Sequence, residues 1–211
     1  MKVSRGFIQT CAIFAIVSLC VQFLSLINSL YFRFSELIDV KSNIILIVAG
    51  IIFTVSYVLN GILFVKLKWF FPAILTFLIV VAKVLINLMV IEINNGHYDE
   101  TIGLIFNLFG LIFSSLMLAI GLAFIITKTR KIKPLQVHGI LEIVFSVYFI
   151  FINLSYVIFG NSIAGSYITE TVAICSFSSY VFLIVALFRI SNGSYIPVNE
   201  VLDHETIDGT K

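Results

Sequence analysis

Six long apolar stretches fill this chain almost end to end, approximately residues 7–31, 43–65, 70–91, 103–127, 137–159 and 168–190. Each holds roughly 22 to 25 residues, and a helix rising about 1.5 Å per residue then crosses a hydrocarbon layer of about 30 Å with some tilt. With 60% hydrophobic and only 11% charged residues, the chain lacks the polar skin that a soluble globule of this length needs, so lipid has to replace it. The runs are continuous rather than alternating, which favours helices over barrel strands and lets each segment satisfy its own backbone groups. The expectation is an all-α, polytopic membrane protein, a bundle of six transmembrane helices over residues 1–190.

Orientation follows from where Lys and Arg fall. Lys2 and Arg5 precede the first stretch, Lys66 and Lys68 occupy the second gap, Lys128, Arg130, Lys131 and Lys133 the fourth, and Arg189 closes the sixth stretch. The other gaps are poor in cations or balance them with Glu36 and Asp39, or carry His97, Asp99 and Glu100. Both termini are therefore predicted cytoplasmic. The first stretch is too long for a signal-peptide core and lacks a small-x-small cleavage site, so it is read as a span. The tail, 191–211, is polar and is expected to be a disordered cytoplasmic segment.

The net charge of +2 reflects these topology anchors and gives no ground for a nucleic-acid partner. Lipid is the partner the chain requires, and the basic fourth gap suits anionic headgroups as well as a stop-transfer flank. Cys11, Cys20 and Cys175 all lie within spans, which indicates neither a disulfide framework nor a zinc site. His97, His138 and His204 are too far apart in this topology to share a metal. There is no phosphate loop, no His-Glu-x-x-His and no Gly-x-Ser-x-Gly elbow. A pairing of Thr54 with His138 fails by roughly 10 Å at helical rise. No catalytic residue, metal or cofactor is assigned, and the sequence points away from an enzyme.

Periodicity inside the spans carries more information, because lipid gives Gly, Ser and Asn no reason to occupy particular positions. Gly103, Asn107, Gly110, Ser114, Met117 and Gly121 follow one another at steps of four and three. Gly139, Glu142, Ser146, Phe149, Asn153 and Tyr156 do the same in the fifth span, and Gly50, Thr54, Tyr57 and Gly61 in the second. Such small seams let helix backbones approach closely and are expected to face protein. Through Gly103, Gly110, Ser114 and Gly121 they could equally take a second copy of the chain or another membrane helix.

Lys83 is the costliest side chain, since a lysine near a bilayer centre costs about 2.5 to 3.5 kcal/mol on insertion scales. It reads either as a hydrogen-bonded structural lysine, as a contact for a substrate or ion, or as a snorkelling side chain. Glu142 is the nearest candidate counter-ion, but counting from the span boundaries leaves a gap of roughly 12 Å along the membrane normal. Asn153, Ser176 and Ser178 match the depth of Lys83 better. Glu142, close to His138, Lys131 and Lys133, reads as a boundary residue or as a proton-coupling group.

In the tail, Tyr195-Ile196-Pro197-Val198 matches a Tyr-x-x-bulky-apolar sorting signal, with Tyr195 and Val198 as its anchors. In a eukaryote this would direct the protein to the plasma membrane or an endolysosomal membrane. Asn192-Gly193-Ser194 matches a glycosylation acceptor but falls on the predicted cytoplasmic side. Two functions remain: a small-solute or ion carrier or channel component with a polar path through Lys83, Asn87, Asn60, Asn153 and Glu142, or a non-catalytic organiser or accessory subunit that binds partner helices.

Overall fold

The computed structural model describes residues 3–34, 41–94, 100–126, 132–159 and 166–192. Six helices follow one another: α1 (Arg5–Phe34), α2 (Lys41–Lys66), α3 (Phe70–Asn94), α4 (Glu100–Ile126), α5 (Lys133–Phe159) and α6 (Ser166–Ser191). Four of them, α2 to α5, are long and apolar enough to cross a membrane over their described residues, while the described apolar parts of α1 and α6 are shorter, Arg5–Val21 and Ser178–Ser191. A cap and a proline mark two of the helix starts. Ser4 caps α1, its hydroxyl accepting the Phe7 amide at 3.2 Å. Pro134 sits in the first turn of α5, where a missing amide costs nothing.

Each helix contacts its neighbours in sequence, and α1 closes onto α6, so the six form a ring. Neighbours run antiparallel. Along α2 and α3, Gly50 meets Asn87 while Gly61 meets Phe77; along α4 and α5, Gly110 meets Asn153 while Gly121 meets Gly139. The ends of α1 and α6 meet where the Arg5 guanidinium donates to the Asn192 side-chain oxygen at 3.4 Å.

The connection from α2 to α3 is the tightest described turn. Trp69 donates its amide to the Phe64 carbonyl at 2.8 Å and Lys68 to the Val65 carbonyl at 3.0 Å. With Lys68 left-handed at φ 58° and the Trp69 ring 5.8 Å from that of Phe64, this is a Schellman cap with its hydrophobic contact, built on a lysine where glycine is usual.

Burial is inverted relative to a water-soluble protein. Phe70, Phe71, Ile74, Leu78 and Val81 of α3 point outward, while Ser56, Asn60, Thr76, His138, Glu142 and Ser179 are buried. Lipid solvates the former as well as a protein core would, so the interior is where polar groups find partners. This supports a membrane location on composition and length.

The seams act as the spacing implies. A Cβ placed on Gly121 would lie 2.7 Å from the Gly139 carbonyl oxygen, and one on Gly139 would lie 2.7 Å from that of Gly121. Neither position tolerates a side chain at this separation. Gly110 leaves a notch filled by the Asn153 amide, at 2.5 Å from an added Cβ, and Gly50 leaves one filled by Asn87. Gly110 and Gly121, two of the seam positions available to a partner helix, thus face α5 of the same chain.

Candidate functional site

The two buried polar residues of α5 nearest its amino end, His138 and Glu142, are four apart and share one face. That face meets α6 at Ser179. The Ser179 hydroxyl donates to Glu142 Oε1 at 2.7 Å, and His138 Nδ1 lies 2.6 Å from the same hydroxyl and 3.1 Å from the Ser179 carbonyl oxygen. The carbonyl only accepts and the hydroxyl hydrogen is committed to Glu142, so Nδ1 carries the imidazole proton. All three side chains are buried, at 0 to 4% exposure. The result is a directed chain from imidazole to hydroxyl to carboxylate that ties α5 to α6.

Its composition is that of a serine-hydrolase triad, but its order is not. In a triad the imidazole stands between acid and nucleophile and takes the nucleophile's proton. Here the serine stands between, and its proton points to the carboxylate. His138 Nδ1 is 3.7 Å from Glu142 Oε1, too long to hold the ring in a base-forming orientation. The arrangement holds the Ser179 proton on Glu142 and does not activate Ser179.

Beside this chain is a small cavity of about 10 Å³, close to the room one water needs. Tyr57 and Asn60 of α2, Thr76 of α3, Met117 of α4, and His138 and Glu142 of α5 line it. Asn60 is 3% exposed and its side-chain carbonyl has no hydrogen-bond partner. The Thr76 hydroxyl is spent on the Pro72 carbonyl at 2.7 Å. The Tyr57 hydroxyl lies 3.9 Å from the Met117 sulfur, reaching across the ring from α2 to α4.

Against the cavity, three aromatic rings pack into a layer. Phe53 stacks on Tyr57 at 4.3 Å, and Tyr180 lies 6.2 Å from both. Lys83 is on the far side of that layer, its ammonium 5.5 Å from the Phe53 centroid and 5.9 Å from that of Phe113. Seven residues separate it from Thr76 on α3, about 10 Å at helical rise. Among the described residues no carboxylate pairs with it; aromatic faces are its contacts, which attract a cation through their quadrupoles.

The five residues of the expected polar path therefore divide. Asn60 and Glu142 share the cavity. Lys83 lies beyond the aromatic layer and not against Asn153. Asn87 sits in the Gly50 notch and Asn153 in the Gly110 notch, where the Asn153 amide also donates to the Phe149 carbonyl at 2.7 Å. Asn107, Ser114 and Ser146 likewise bond the carbonyl four residues back. Such back-bonding satisfies a polar side chain without any path. Glu142 shares the cavity with Thr76, and Lys83 stands seven positions further along α3, so the axial offset between Lys83 and Glu142 is about 10 Å, near the gap counted from the span boundaries. Tyr195 and Val198, the side chain of Ser176, and Lys131 lie outside the described residues.

Ser179 is the member of this cluster that sequence reasoning passes over in favour of Ser176 and Ser178. One signal could have found it. His138 and Glu142 on one buried face require a polar partner on a neighbouring helix, and α6 offers serines at that depth. Ser179→Ala should strip Glu142 of its hydroxyl donor and cost about 1 to 3 kcal/mol, read as a lowered thermal midpoint of the purified protein; an unchanged midpoint would show that the chain adds nothing to stability.

Comparison with known protein families, with curated proteins and with solved structures gives no match.

Proposed function

We propose that this is a six-span membrane protein with both termini in the cytoplasm, and that it carries or conducts a small solute or ion through the centre of its ring. One observation carries the reading: the interior holds a Glu142–Ser179–His138 chain against a cavity where the Asn60 carbonyl stands unpartnered. Ionisable groups inside a membrane bundle are expensive, and packing alone does not call for them. The aromatic layer of Phe53, Tyr57 and Tyr180 serves as the barrier between a cytoplasmic compartment at Glu142 and Asn60 and an outer one at Lys83 and Asn87.

The organiser reading has less support, since the seams at Gly110 and Gly121 are filled by α5. If the tail motif at Tyr195 and Val198 acts in a eukaryote, the membrane is the plasma membrane or an endolysosomal one.

Single cysteines test the path. With Cys11, Cys20 and Cys175 replaced, Asn60→Cys, Asn87→Cys, Asn107→Cys and Asn153→Cys are exposed to a membrane-impermeant thiol reagent from either face. Asn87→Cys should label from outside and Asn60→Cys from the cytoplasmic side. Uniform protection would remove the wet path and leave the organiser.

A further inference from the structure

We propose that the cavity between Asn60, Tyr57, Thr76 and Glu142 binds one small monovalent cation of about sodium's size. The inference rests on the carrier reading and deepens it, since this cation would be the species moved or the one that couples movement of another.

The lining is rich in acceptors. Asn60 presents a buried carbonyl without a partner, Glu142 a carboxylate that receives one hydroxyl, and Thr76 an oxygen whose hydrogen is already donated to Pro72. With the proton of His138 on Nδ1, Nε2 is a further acceptor. Acceptors sharing a narrow, water-sized space repel unless a donor or a cation lies between them. A proton on Glu142 would remove its charge but leave the Asn60 carbonyl unsatisfied. A water molecule would satisfy that carbonyl but leave the carboxylate without a counter-charge. A cation among these oxygens meets both requirements at once, where a proton and a water each meet one, and the salt comparison below separates the two fillings.

Size and charge narrow the class. The space is about 10 Å³, close to one water, which admits a dehydrated sodium or potassium ion and not one that keeps its hydration shell; the strong field of a carboxylate favours the smaller of the two. A single carboxylate balances a single charge, and divalent ions prefer more carboxylates or several retained waters. Hard oxygen ligands disfavour the softer transition metals. The other ionisable groups facing the site are His138 from α5 and Tyr57 from α2; Lys83 on α3 stands beyond the Phe53 ring and opposes a cation only at longer range.

The test uses the full chain, purified in detergent. Its thermal midpoint is measured in sodium, potassium and choline chloride at constant ionic strength, alongside equilibrium binding of radioactive sodium. The midpoint should rise saturably with sodium, by about 5 °C or more at roughly a hundredfold excess over the dissociation constant, and not with potassium or choline. Glu142→Gln and Asn60→Ala should each abolish the sodium-specific rise. Should Glu142→Gln fail to fold, Asn60→Ala and direct binding to the unaltered chain decide.

A midpoint indifferent to sodium, an equal rise with potassium or with choline, or a sodium effect kept in either variant would overturn the site and assign the cavity to water beside a protonated Glu142. That failure is separable from failure of the carrier reading. Thiol labelling at Asn87 and Asn60 without sodium binding leaves a carrier with another cargo, whereas sodium binding with uniform protection from the reagent marks a structural ion.

Discussion

Gly139→Val is expected to abolish the stable fold, with a loss of at least about 3 kcal/mol and a collapse of monodisperse protein on size exclusion. Its Cβ would fall 2.7 Å from the Gly121 carbonyl oxygen and 3.0 Å from the Phe124 Cβ. Both are tied to helix backbone and cannot swing aside, so the overpacking cost, about 1 to 3 kcal/mol in a yielding core, takes its upper value or more. Separating α5 from α4 also displaces His138, next in sequence to Gly139, from the Phe124 ring 5.5 Å away. Gly121→Val should reproduce the effect, because the clash is reciprocal. The matched control is Gly6→Ala in α1, where an added Cβ meets nothing within 4 Å; helix propensity should make it neutral or stabilising by up to about 1 kcal/mol. Thermal midpoints of the three variants against the parent decide the matter, and a Gly139→Val protein as stable as Gly6→Ala would mean that α4 and α5 do not pack this closely.

Lys83→Leu should separate stability from function in the opposite sense. Its ammonium touches aromatic faces and, among the described residues, no carboxylate. Leucine removes an insertion penalty of about 2.5 to 3.5 kcal/mol and forfeits cation–π contacts worth about 1 to 2 kcal/mol. The midpoint should therefore hold or rise. Two functional readouts should move. Labelling of Asn87→Cys from outside should fall, since on the carrier reading this charge is what draws water into the outer compartment. Sodium affinity should increase: two like charges about 10 Å apart in a medium of effective dielectric about 20 repel by about 1.7 kcal/mol, or roughly tenfold or more in binding. A lower midpoint with unchanged labelling would instead make Lys83 a packing residue. Unchanged affinity would show that its amine carries no charge in the folded protein.

These two residues mark different degrees of legibility in the sequence. Gly121 and Gly139 stand out because glycine recurs at helical spacing inside apolar runs, and lipid offers no reason for that pattern. Lys83 stands out by its cost. What periodicity leaves open is which polar residues in a seam are satisfied locally. Asn107 and Asn153 bond the carbonyls four residues behind them, whereas Asn60, chemically identical, has a carbonyl without a partner beside Glu142. Only the positions of neighbouring helices distinguish them. The same holds for Ser178 and Ser179, adjacent in sequence but rotated by about 100° around α6.

The helix count, the apolar perimeter and the close-approach glycines were thus set by the sequence alone, because hydrophobic length and 3.6-residue spacing are local properties of a segment. Ring closure of α1 on α6, the pairing of His138 and Glu142 with Ser179, and the enclosure of Asn60 were decided by tertiary structure. Those depend on the register between helices distant in sequence, and register is set by the summed packing of whole faces, which no single segment encodes.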